Sequence, residues 1–128
     1  MQIEQHFAPI TRTTLALYAG ASGDINAAHI DIDAARAAGF DDVFAQGMLV
    51  MAYMGRAITN AVPPQRLRSF ATRFVGITNL GDELTFNGTA GQPYTENGER
   101  RIAMDLEIKN QAAEVKLVGK AVYACELE

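Results

Sequence analysis

The stretch SGDINAAHID, residues 22–31, places Asp24, Asn26 and His29 in quick succession, with small residues around them and no helical or strand periodicity. A free aspartate titrates near pH ~4 and a free histidine near ~6.5, so one proton acceptor and one donor are on hand around neutrality. Asp24 and His29 are five apart, a spacing that stacks no two side chains on one helix face, where i+3 and i+4 are neighbours. They converge only if the loop folds back, which Gly23, Ala27 and Ala28 permit. A plainer reading of the same residues has Asp24 capping a turn and His29 lying at the surface or satisfied in the core. Two ligands make too thin a zinc site, and His6 and Cys125 stand far off without ligand spacing, so no metal is expected.

Positioning this loop falls to a helical first half. ITRTTLALYAGASG (10–23) reads as a short helix with Thr11 or Thr13 as N-cap and Gly20 or Gly23 at its end. DIDAARAAGF (31–40) reads as a second, capped by Asp31 or Asp33 and stopped by Gly39. FDDVFAQ (40–46) is a loop, and GMLVMAYMGRAITNAV (47–62) is a helix ended by Pro63-Pro64. That last helix is apolar on every face, which predicts burial.

From about Arg66 the pattern alternates. QRLRSFATRFVG (65–76), DELTFNGTAGQPY (82–94), RRIAMDLEIKN (100–110) and EVKLVGKAVYACEL (114–127) read as strands, with hairpins at Asn97-Gly98 and Asn110-Gln111-Ala112. A first strand near Gln2–Phe7 makes about five antiparallel strands on one central buried helix, an α+β domain spanning 1–128.

Composition bounds the rest. One domain of 128 residues supports one core. The net charge of −4 without a basic block argues against a nucleic-acid partner. The longest apolar run (47–55) is far too short to span a membrane, and MQIEQHFAPI lacks the pattern of a secretory signal. A single cysteine, Cys125, rules out an internal disulfide and fits a reducing compartment. A cytoplasmic protein is expected.

Ser22, Gly23, Asp24, Asn26, His29, Asp31, Ala35, Gly39 and Phe40, followed by Ala45, Gly47, Met48 and Leu49, resemble the (R)-specific enoyl-CoA hydratases, the MaoC-like dehydratases of the hot-dog fold. Arg73-Phe74 and Gly81-Asp82 extend the resemblance into the strands. Two positions depart from the family pattern: Ala27 stands where a proline is usual, and Gln46 where a histidine is common.

The resemblance implies reversible addition of water to a trans-2-enoyl thioester, giving a (3R)-3-hydroxyacyl thioester. Asp24 and His29 together would hold and activate the water, and the proton for Cα would come from the same site. The charge that develops on the thioester oxygen needs a donor, and Gly47 suits it. As the first residue of the long helix it has an unpaired backbone N–H at the positive end of the dipole, and no side chain to obstruct approach. A plain turn glycine is the other reading of Gly47. Asn26 reads as a loop brace. No cofactor is implied beyond the coenzyme A or acyl-carrier protein that carries the substrate, and the fold implies a homodimer or higher oligomer.

Arg66, Arg68 and Arg73 suit either coenzyme A phosphates or solvated strand faces. Tyr18 and Tyr53 suit packing, GASG lacks the lysine of a phosphate loop, and Ser22 lacks a G-x-S-x-G setting. A hot-dog thioesterase, the alternative activity, usually carries an acidic residue on the central helix; 47–62 has none. A subunit of a hetero-oligomeric dehydratase is the other alternative.

Overall fold

The computed structural model describes residues 1–126 of the chain. Leu127, read above as the end of the last strand, and Glu128 lie outside the described residues. Six strands form one antiparallel sheet: β1 (Gln2–His6), β2 (Leu67–Phe74), β3 (Thr85–Ala90), β4 (Tyr94–Glu96), β5 (Glu99–Lys109) and β6 (Val115–Ala124). Their order is β1-β3-β5-β6-β2, with β4 also on β5. Three helices, α1 (Arg12–Ser22), α2 (Ile32–Ala37) and α3 (Gly47–Ala61), lie between β1 and β2 in the chain. This is the α+β, hot-dog arrangement expected.

Local chemistry sets the ends of these elements. Thr11 accepts the Thr14 N–H at 3.2 Å to cap α1, and Asp31 accepts the Asp33 N–H at 2.9 Å to cap α2. Gly23, at φ 80°, closes α1 in the left-handed region that its missing Cβ allows. Asn97 and Gly98 both have positive φ, 50° and 75°, as a two-residue hairpin turn requires.

The sixth strand, β4, is one more than the sequence suggests. Segment 82–94 reads as one strand, yet β3 pairs with β5 as far as Ala90–Met104 and pairing resumes only at Tyr94–Arg101. Pro93 has no N–H for the ladder, so the strand breaks there.

Helix α3 runs along β2 with matched spacing. Phe70 lies at Gly55, the Thr72 hydroxyl donates to Met51 Sδ at 3.4 Å, and Phe74 lies at Gly47. Two strand residues rise about 6.6 Å and four helix residues about 6 Å, so every second strand side chain meets every fourth helix position. Met54, Ala57 and Ile58 are buried with Phe86, Met104, Ile108, Leu117 and Ala121 in the core. Burial on every face of α3 does not hold. Met48, Ala52 and Arg56 form a solvent-facing stripe, with Met48 54% exposed. A single sheet covers one side of a helix, and four-residue spacing keeps the uncovered positions together.

Candidate active site

The irregular stretch after α1 is held by side chains bonding backbone two residues on. Ser22 Oγ accepts the Asp24 N–H at 3.0 Å, Asp24 Oδ1 the Asn26 N–H at 3.4 Å, and Asn26 Oδ1 the Ala28 N–H at 3.1 Å. Short polar side chains substitute here for a helix ladder. The last of these bonds caps a single 3-10 turn, Ala27–His29, which sets the position of His29.

His29 is 9% exposed, and its Nδ1 lies 2.7 Å from the Phe44 carbonyl oxygen. A carbonyl only accepts, which assigns the proton to Nδ1 and leaves Nε2 of the neutral ring with a free lone pair. The ring stands edge-on to Phe44 at 4.7 Å between centroids, and Phe40 backs Phe44 at 4.4 Å. Asp24, by contrast, is exposed. Both residues lie on one short loop, but no hydrogen bond joins their side chains among the described residues. The turn-capping role of Asp24 and the satisfied, buried histidine are thus both present in the geometry. They leave one carboxylate oxygen and one imidazole nitrogen unengaged.

The segment Phe44–Gly47 is fixed at each step. Phe44 binds His29, the Ala45 N–H donates to the Thr78 carbonyl at 2.8 Å, and buried Gln46 donates from Nε2 to the Leu15 carbonyl at 3.0 Å. Gln46 thereby ties the loop to α1. Arg12 adds a two-pronged ion pair with Asp42, at 2.9 and 2.5 Å, which holds the Asp42 carboxyl below its usual range. Gly47 then opens α3, where the first N–H groups have no intrahelical acceptor.

A cleft of about 200 Å³ lies beside Gly47, between Phe44–Val50 and Phe74–Thr78, with Lys116 also in its wall. Phe74 lies so close to Gly47 that an added Cβ would sit 3.3 Å from its ring. Phe44, Phe74, Thr78 and Lys116 were not singled out from the sequence as site residues; of these only Phe74 carried a signal, through the Arg73-Phe74 match. Arg66, one of the candidate phosphate contacts, instead donates to the carbonyls of Ala124 and Cys125, and Arg68 pairs with Glu99. Among the described residues, no three His, Cys, Asp or Glu side chains group as metal ligands. No helix among them is long and apolar enough to cross a membrane.

Residues 2–114 match the family described as the MaoC like domain. The R-hydratase PhaJ1 from Pseudomonas aeruginosa is similar over 100% of this chain and 86% of its own, with 28% identity and a TM-score of 0.83. An (R)-hydratase from A. caviae involved in PHA biosynthesis matches over 95% of this chain and 92% of its own, with 18% identity and a TM-score of 0.82. A ChsH1-ChsH2 complex from Mycobacterium tuberculosis matches over 98% and 96%, with 20% identity and a TM-score of 0.82. The latter two likenesses are of fold. No curated protein matches the sequence. The chain belongs to the MaoC-like dehydratase family, whose chemistry is that of a hydro-lyase.

Proposed function

We propose that this chain hydrates trans-2-enoyl thioesters to (3R)-3-hydroxyacyl thioesters, and catalyses the reverse dehydration, through Asp24, His29 and the Gly47 N–H. One observation carries the reading. The loop whose Phe44 carbonyl fixes the His29 tautomer also leads, three residues on, into Gly47 at the start of α3. Proton transfer and charge stabilisation would therefore be set by one rigid segment.

In this reading the Asp24 carboxylate and His29 Nε2 hold the attacking water and take its proton as oxygen bonds to Cβ. Electron density moves to the thioester oxygen, where the Gly47 N–H and the positive end of α3 stabilise it. A proton from the same pair of side chains is delivered to Cα. Asn26 would brace the turn that carries His29. The acyl group arrives on coenzyme A or on an acyl-carrier protein.

A second copy of the chain is the partner we propose. The outer edge of β2 is unpaired among the described residues, and Met48, Phe74, Val75, Ile77 and Val115 are exposed at or near it. The test of function is purified chain with crotonyl-CoA. Loss of the enoyl absorbance without free thiol supports hydration, whereas thiol released at the rate of substrate loss identifies a thioesterase.

A further inference from the structure

The three groups of the proposed reaction sit on two bodies. Asp24 follows directly on α1, which is closed by Gly23. Gly47 and the carbonyl that orients His29 belong to the segment 44–47. Between the two, the loop bonds to its own backbone until His29. Among the described residues, two hydrogen-bonded links run from α1 to residues 40–47. One is the Arg12–Asp42 ion pair, which lies at the surface. The other is Gln46, fully buried, whose Nε2 donates to the Leu15 carbonyl at 3.0 Å.

Stability alone does not explain a glutamine here. Its Oε1 is buried without a hydrogen-bond partner, and an unpaired buried acceptor is destabilising. The Leu15 carbonyl gains little from the contact, because within α1 the helix ladder already supplies it with an N–H. A methionine would fill nearly the same volume without stranding an oxygen. What the amide fixes is position: it holds the residue before Gly47 at one point on the helix that leads to Asp24.

We propose that Gln46 is a positioning residue of the hydration reaction, its amide setting the distance between the Asp24 carboxylate and the Gly47 N–H. The proposal rests on the hydratase reading above. Water at Asp24 and the thioester oxygen at Gly47 address atoms only a few bonds apart on one substrate. Slippage of α1 along segment 44–47 therefore misaligns the attack without loosening the rest of the thioester. Such a fault lowers kcat rather than raising KM.

The test measures melting temperature, and kcat and KM for crotonyl-CoA, in wild type, Gln46→Met and Gln46→His. Methionine keeps the bulk and removes the amide. It should lower kcat about tenfold, change KM less than about twofold, and leave the melting temperature equal or higher. Histidine restores an N–H for the Leu15 carbonyl and should bring kcat back to within about threefold of wild type. Unchanged kcat in the methionine variant, or a loss confined to KM, overturns the assignment. So does a kcat loss that comes with a lower melting temperature, the mark of a merely structural role, or a histidine variant as slow as methionine. Hydrogen exchange separates the proposal from the hydratase reading. In the methionine variant the amides of 22–29 and 44–49 should exchange faster, with those of β5 and β6 unchanged. That pattern in a protein that hydrates nothing upholds the positioning bond and overturns the activity. Unchanged exchange at 22–29 and 44–49 overturns the bond.

Discussion

With Nδ1 of His29 committed to the Phe44 carbonyl at 2.7 Å, any proton that His29 moves passes through Nε2. Asp24→Asn keeps an oxygen for the Asn26 N–H, and His29→Gln keeps an N–H for Phe44, so both variants should fold. Each should lower kcat for crotonyl-CoA by at least ~10²-fold. The double variant should be little worse, because two groups serving one proton transfer act as a unit. Near-wild-type hydration by either single variant would remove that residue from the mechanism. Gly47 calls for a pair of variants. Gln46 has φ −59° and ψ 135°, the extended conformation a following proline demands, so Gly47→Pro fits the first helical position and removes the N–H, while its Cβ presses on Phe74 as that of alanine does. Gly47→Ala keeps the N–H but presses on Phe74. Proline should therefore cost roughly 10²–10³ in kcat beyond alanine, with similar melting temperatures. Equal activity of the two would place the oxyanion donor elsewhere.

At the scale of elements, the clearest titrating feature lies away from the site. Glu99 on β5 accepts from Arg68 on β2 and Arg101 on β5, all at 2.8–2.9 Å. These hydrogen bonds lower its pKa from 4.5 to about 2. A carboxyl with a depressed folded pKa adds stability above its unfolded value and loses it as pH falls through the folded one. The excess melting temperature of wild type over Glu99→Gln should therefore be constant above pH ~5 and shrink toward pH ~2. A pH-independent difference would mean the pair contributes only packing.

The elements legible in the sequence are those fixed by nearby residues. Caps at Thr11 and Asp31, the stop at Gly23 and the Asn97-Gly98 turn all depend on bonds within a few positions. What stayed hidden depends on distant neighbours. Nothing near His29 announces the Phe44 carbonyl 15 residues on, and nothing beside Lys116 in the sequence singles out that lysine, which is buried. Likewise, among the apolar residues of α3 only Arg56 marked the stripe, shared with Met48 and Ala52, that the sheet leaves open. Asp24 and His29 stood out by family pattern; their separate environments, one exposed and one buried, were not readable.

For the whole molecule, the open edge of β2 and the apolar side chains around it predict association with a second copy. Sedimentation should give twice the mass of the chain, and Val75→Lys, which places a charge beside that edge, should shift it toward one chain without lowering helix or strand content. A wild type that sediments as a single chain, or associates only when a different subunit is added, would contradict the homodimer. The central claim is the reaction itself, and the chirality of its product tests that most directly. Water held by one loop can reach only one face of the double bond, so a single stereoisomer must form. Purified chain with crotonyl-CoA should yield a product consumed fully by an (R)-3-hydroxyacyl-CoA dehydrogenase and not by an (S)-specific one. A product taken by the (S)-specific enzyme, or a mixture of the two, would contradict the account.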